Sequence, residues 1–240
     1  MPSRAADSLR VLITRPEPEA QDLAAQLTER SISSVIAPLF IITTHQLEPQ
    51  DTIGGTALLL TSPRGARSVP DAISHLPVYA VGQATADAAQ SHGLSIAAVG
   101  PGEADDRFVD LVPKGANLIH LSGHHVARDL APVFERRGIT YQRRVIYEAE
   151  AVTDLPRAAR AYLTGTHDKV VTLLSVRAAE TFAKLVEKAG LEDETRTARA
   201  FCFGPRVAAC AQASLFYKAV DEGPAGDLTG FVDFVSSAST

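Results

Sequence analysis

The chain has 240 residues, 45% hydrophobic and 21% charged, enough for one large domain or two smaller ones, and this composition excludes disorder as the default. A net charge of −5 with no basic stripe argues against a nucleic-acid partner, and no apolar run approaches the roughly 18–20 residues that a bilayer span needs. Two cysteines, Cys202 and Cys210, cannot build a disulfide framework. Met1–Ser8 has no apolar core of the kind a secretory leader requires, so the expected compartment is the cytoplasm.

Short β-rich runs alternate with amphipathic windows. Val11-Leu12-Ile13 reads as a buried strand, and Pro16 suits the first turn of the helix after it, where its missing N–H costs nothing. Ala20, Leu23, Ala24 and Leu27 then follow at the spacing of one helical face. Ala57–Leu60, Val78–Val81, Leu118–Leu121, Lys169–Leu174 and Arg199–Phe203 are strand-like, each with a helical window behind it. Such order predicts parallel sheets covered by helices.

The pattern repeats internally. Val11–Ile32 laid over Leu118–Ile139 matches at Ala20/Ala127, Asp22/Asp129, Leu23/Leu130, Ala24/Ala131, Arg30/Arg137 and Ile32/Ile139. Thr61-Ser62-Pro63-Arg64 answers Leu174-Ser175-Val176-Arg177. Tyr79-Ala80-Val81-Gly82-Gln83 answers Phe201-Cys202-Phe203-Gly204-Pro205, each opening an Ala-rich helix. Any two βα units share some features, but three pairs in related contexts favour a true repeat. Because the partners of the second and third units come last, the first domain is expected to be discontinuous, 1–37 plus 151–240. A second α/β domain, 45–142, is inserted in it. The crossovers 38–44 and 143–150, extended and β-branched, are expected to pair as a two-stranded β linker, leaving a hinge with a cleft.

Several motifs, in this order, resemble the uroporphyrinogen-III synthase family: Leu12-Ile13-Thr14-Arg15-Pro16, Ala37-Pro38-Leu39, Leu60-Thr61-Ser62-Pro63-Arg64, Tyr79–Ala86, Leu121-Ser122-Gly123, Val145-Ile146-Tyr147 and Phe203-Gly204-Pro205. The resemblance runs from about Val11 to Val235. It implies two α/β domains with the site in their cleft, and cyclisation of hydroxymethylbilane to uroporphyrinogen III with inversion of the terminal pyrrole ring through a spirocyclic intermediate. No cofactor or metal is implied. The expected enzyme is a monomer with a small-molecule substrate, no membrane partner, and transient contact with hydroxymethylbilane synthase. The alternative is a non-catalytic hinge protein that binds a tetrapyrrole or another polycarboxylate.

The substrate carries eight carboxylates, and helix starts offer unsatisfied N–H groups and the positive end of the macrodipole. Thr61-Ser62, Gly82-Gln83, Gly123-His124, Ser175 and Gly204-Pro205 are expected at such starts, with glycine permitting close backbone approach. Any one of them could be a cap or turn that every βαβ unit needs; five together favour binding. Arg15, Arg64, Arg177 and Arg206 are placed to clamp carboxylates bidentately. Tyr147 matches the family's tyrosine and is the expected proton or hydrogen-bond donor to the leaving hydroxyl, although a phenol is a weak acid at neutral pH. Thr85 matches a family threonine near the site. The chain departs from the family pattern at Val176-Arg177 and Arg206-Val207. His120 and His124 are four apart, but His120 reads as ending a strand, where that spacing does not converge on a metal. Val99-Gly100-Pro101-Gly102 is too short for a dinucleotide fingerprint.

Overall fold

The computed structural model describes residues 9–102, 104–126 and 128–238. The opening segment Met1–Ser8 and the repeat match Ala127 lie outside the described residues. In chain order the elements are β1 (Arg10–Ile13), α1 (Glu19–Glu29), β2 (Ser33–Ile36), β3 (Phe40–Thr44), β4 (Ala57–Leu60), α2 (Pro63–Arg67), β5 (Val78–Ala80) and α3 (Gln83–Ser91). There follow β6 (Ile96–Val99), α4 (Asp106–Val109), β7 (Asn117–Gly123), α5 (Ala131–Glu135), β8 (Thr140–Ala151) and α6 (Arg157–Leu163). The last are β9 (Lys169–Leu173), α7 (Val176–Ala189), α8 (Glu192–Thr195), β10 (Ala198–Phe203), α9 (Pro205–Ser214), β11 (Ala219–Gly223) and α10 (Leu228–Ser237).

The chain divides into a discontinuous unit, Met1–Ile41 with Glu150–Thr240, and an inserted unit, Ile42–Ala149. The first holds a five-stranded sheet in the order β11-β10-β9-β1-β2; the second holds β3-β8-β7-β4-β5-β6. The pairings β1 with β2 and β9, and β10 with β9 and β11, are parallel, as are β4 with β5 and β7, β5 with β6, and β7 with β8. The expected α/β class with parallel sheets is therefore the observed one. Matching β1 to β7, β2 to β8, β9 to β4, β10 to β5 and β11 to β6 makes the two strand orders identical, with β3 added at one edge. The β1-α1-β2 piece opens one unit and its counterpart β7-α5-β8 closes the other, which is the circular permutation that the repeat describes.

Beside β8, β3 runs antiparallel. The Val152 N–H donates to the Leu39 carbonyl at 3.0 Å and the His45 N–H to the Ile146 carbonyl at 2.9 Å, so one strand's numbers rise as the other's fall. The 12-residue β8 thus pairs with β7 over Thr140–Tyr147 and is flanked on its other edge by the antiparallel β3.

Burial on both faces explains the near-continuous apolar strands: Val11, Leu12 and Ile13, like Leu58, Leu59 and Leu60, are fully buried. On α1, Ala20, Leu23 and Leu27 enter a cluster with Val170, Phe201 and Phe231. The helix begins at Glu19, three residues after the expected Pro16, whose carbonyl instead accepts the Ala20 N–H at 2.9 Å. A residue preceding proline is biased away from the helical region, so Glu17, before Pro18, defers the start. In the inserted unit one apolar cluster, including Leu58, Leu60, Ala80 and Leu121, lies on one face of the sheet; another, with Leu59, Phe108, Leu118 and Phe134, lies on the other. Among the described residues no helix is long and apolar enough to cross a membrane.

Candidate active site

Open parallel sheets bind ligands outside the C-terminal strand ends, where the strand order reverses direction. In the inserted unit the reversal lies between β4, which leads through β5 to β6, and β7, which leads to β8. Thr61 and Ser62 leave β4; Gly123 ends β7 and His124 follows it.

The polar groups there form one cluster. Ser62 is the N-cap of α2, its Oγ accepting the Gly65 N–H at 3.0 Å, and the same Oγ lies 3.2 Å from the Tyr147 hydroxyl. Tyr147 is half-buried on β8 directly beside Gly123, with the Arg64 guanidinium 5.8 Å from its ring centroid. A Cβ on Gly123 would stand 2.5 Å from Cε2 and 2.9 Å from the hydroxyl oxygen of Tyr147, so the absence of a side chain seats that ring. The His124 N–H donates to the Tyr147 carbonyl at 2.9 Å, and its exposed imidazole Nδ1 lies 4.0 Å from Glu148 Oε1.

Gly123-His124 was expected to open a helix. It does not: α5 begins at Ala131. Arg143 holds the strand end instead, its Nε donating to Ser122 Oγ at 2.9 Å and its Nη2 to the Gly123 and His124 carbonyls at 2.7 and 2.5 Å. The remaining four sites do open helices, Ser62 at α2, Gly82 at α3, Ser175 at α7 and Gly204 at α9. Their free N–H groups are fewer than expected, because Ser62 and Ser175 each cap their own helix. The closeness of Gly82 also has another cause: its Cβ would meet Gly102 Cα at 3.0 Å, so the tight approach is to a neighbouring loop of the protein.

Gln83 and Thr85 stand one strand away from the reversal, in the first turn of α3. Gln83 Nε2 donates to Asp87 Oδ1 at 2.7 Å, and Thr85 is buried. Sequence reasoning missed His120, Tyr141 and Arg143 as members of the site's framework. A histidine in the apolar run Leu118-Ile119-His120-Leu121 was the available signal, but it was weighed only as a metal ligand. It is 1% exposed within β7, its Nε2 3.0 Å from Thr61 Oγ1 and its Nδ1 2.6 Å from the Tyr141 hydroxyl. Burial, reinforced by the Arg143 charge, lowers its pKa to about 4, so the ring is neutral. No group of three or more His, Cys, Asp or Glu is placed to hold a metal among the described residues.

In the discontinuous unit the reversal falls between β1 and β9. There Thr14 Oγ1 donates to the Thr172 carbonyl at 2.7 Å and Thr172 Oγ1 to the Leu12 carbonyl at 3.0 Å. Arg15 follows β1. Ser175 caps α7, its Oγ accepting the Ala178 N–H at 3.1 Å, and the Arg177 guanidinium lies 4.6 Å from the Phe40 ring centroid. Gly204, at φ +92°, turns the chain from β10 into α9, and Arg206 is exposed in that helix's first turn. These two lie one strand out from the reversal, as Gly82 and Gln83 do in the other unit.

The model of the family "Uroporphyrinogen-III synthase HemD" matches residues 21–225. No curated protein matches the sequence at a significant level. Among solved structures, uroporphyrinogen-III synthetase from Helicobacter pylori is 16% identical with a TM-score of 0.64, covering 96% of this chain and 99% of that one. A mutant uroporphyrinogen III synthase from Thermus thermophilus is 18% identical with a TM-score of 0.56, covering 96% and 98%. At these identities the structures support the two-domain fold, while the sequence model extends over most of the chain, and on that match the chain belongs to the uroporphyrinogen-III synthase family.

Proposed function

We propose that the cluster at the C-terminal ends of β4 and β7 carries out the family's reaction. Hydroxymethylbilane loses its terminal hydroxyl as water, and the azafulvene carbon attacks the substituted α-position of the far pyrrole. The spirocyclic pyrrolenine then fragments and recloses with that ring inverted, giving uroporphyrinogen III. One carbon–oxygen bond breaks as water leaves, and the rest is proton transfer and carbon–carbon bond change, so the protein's tasks are to hold the carboxylates, supply a proton and orient the chain.

The observation that carries this reading is the 3.2 Å contact of the Tyr147 hydroxyl with Ser62 Oγ, beside a glycine that seats the ring. With the Ser62 O–H donating to the phenol oxygen, the phenol proton is left for the departing hydroxyl. Ser62 and the neighbouring Arg64 then stabilise the negative charge that develops on Tyr147. The proton shed as the macrocycle closes returns to the phenolate. Arg64, His124 and the α3 start at Gly82-Gln83 supply carboxylate partners, and Arg15, Ser175, Arg177, Gly204 and Arg206 do so in the other unit. Thr85 supports this site from the first turn of α3. On the same reading the enzyme is a cytoplasmic monomer that takes its unstable substrate from hydroxymethylbilane synthase.

Tyr147→Phe tests this. Formation of the type III product should fall by about tenfold, the scale of one hydrogen bond in the transition state, with the melting temperature preserved. An unchanged rate would reduce Tyr147 to packing and leave water as the proton source.

A further inference from the structure

The polar side chains Tyr141, His120 and Thr61 cross three strands of the inserted sheet. His120 is level with Leu59 on β4 and Arg143 on β8, so Tyr141 stands two residues before it and Thr61 two residues beyond. The line therefore climbs diagonally from the start of β8, through β7, to the C-terminal end of β4. It begins against the apolar cluster of Leu59, Leu118 and Phe134, where the Tyr141 ring stacks on Phe134 at 5.5 Å. Burying an imidazole there is costly unless both nitrogens are bonded, and both are.

Resting on the reading that the ends of β4 and β7 hold substrate, we propose that Tyr141 and His120 form a fixed hydrogen-bond relay that makes the Thr61 hydroxyl a donor to the substrate. At 2.6 Å the contact between the Tyr141 hydroxyl and Nδ1 is the shorter of the two. A phenol is a far stronger acid than a neutral imidazole N–H, so Tyr141 donates to Nδ1. The single ring proton is then on Nε2 and is donated to Thr61 Oγ1. With its oxygen already accepting, Thr61 turns its own proton outward at the strand end, where a propionate or acetate group of the substrate takes it. In the opposite tautomer Nε2 would accept the Thr61 proton, and the hydroxyl would face the substrate as an acceptor, repelling a carboxylate. Burial holds the Tyr141 phenol protonated, its pKa pushed up to about 12, so the donor at the head of the relay persists across the neutral range. Tyr141 and His120 are positioning residues; only Thr61 meets the substrate.

Long-range proton–nitrogen NMR on histidine-labelled, ligand-free protein reads the tautomer directly, with the His120 signal identified by its loss in His120→Gln. The relay predicts a protonated Nε2 and a bare Nδ1, and predicts that Tyr141→Phe, which keeps the stacked ring, erases that preference. With hydroxymethylbilane as substrate, Tyr141→Phe and Thr61→Val should each raise KM by about tenfold with kcat within about twofold, the pattern of a lost binding contact. The double variant should be no worse than Thr61→Val alone. A wild-type His120 protonated at Nδ1, or a Tyr141→Phe enzyme with unchanged KM, overturns the relay. Wild-type KM in Thr61→Val with the assigned tautomer intact overturns the placement of substrate at Thr61, and with it the relay's purpose.

Discussion

Gly123→Ala is the sharpest perturbation of the proposed proton donor, because it changes neither charge nor any hydrogen-bonding group. The new Cβ would lie 2.5, 2.6 and 2.9 Å from Cε2, Cζ and the hydroxyl oxygen of Tyr147. Ordinary carbon–carbon contact is about 3.5–4.0 Å, so the ring must withdraw by about 1 Å. Such a shift carries the phenol, now 3.2 Å from Ser62 Oγ, out of hydrogen-bond range or off its line. Overpacking of this kind costs about 1–3 kcal/mol of stability, which a domain of this size tolerates. Through the donor alone the loss cannot exceed that of deleting the hydroxyl, so the rate should fall by up to about tenfold, the loss expected of Tyr147→Phe. Single-turnover assays on fresh hydroxymethylbilane, with separation of the oxidised porphyrin isomers, measure the rate. Circular dichroism checks that the fold is kept. A folded Gly123→Ala protein that matches the wild-type rate refutes the assignment of Tyr147 as donor.

Arg64→Ala should weaken substrate binding by about 1–3 kcal/mol without abolishing turnover, since other donors remain; equilibrium titration with a non-reacting tetrapyrrole carboxylate checks this. His120 is neutral in the fold with its pKa lowered from 6.5 to about 4, so the unfolded chain binds the extra proton first. Its contribution is therefore fully present above pH 6.5 and is lost as pH falls towards 4, at about 1 kcal/mol per pH unit. Denaturant melts of the wild type and His120→Gln should differ in that slope. Tyr162 is buried in the other unit, its hydroxyl donating to the Arg10 carbonyl and accepting the Val170 N–H at 2.8 Å. Tyr162→Phe should cost about 1–3 kcal/mol of stability, seen as a lower melting temperature, with turnover at low temperature unchanged.

What the sequence disclosed was local chemistry. Apolar triplets such as Val11-Leu12-Ile13 and Leu58-Leu59-Leu60 mark strands buried on both faces. Ser62 and Ser175 mark helix starts because an N-cap acts within three residues; the two have nearly the same backbone, φ −152° and −155°, each accepting the N–H three residues on. The repeat then led to the expectation of a discontinuous domain, which no single segment contains. What stayed hidden depends on distant partners. The loop after β7 is held by Arg143, about 20 residues away, so reading Gly123-His124 as a helix start failed on a contact that local pattern cannot show. Likewise, spacing offered His124 as a mate for His120, whereas its real partners, Tyr141 and Thr61, are 21 and 59 residues distant. Beside the expected approach of a ligand, Gly82 also lies against Gly102, a neighbour 20 positions along the chain that local pattern does not show.

The most direct measurement is the isomer made from fresh hydroxymethylbilane by the purified protein. Left alone, this tetrapyrrole closes to the uninverted type I ring, so the enzyme must outrun that reaction and redirect it. The account predicts uroporphyrinogen III as the dominant product, formed faster than background and reduced in Tyr147→Phe. Type I product at the uncatalysed rate, from protein shown to be folded, would contradict it.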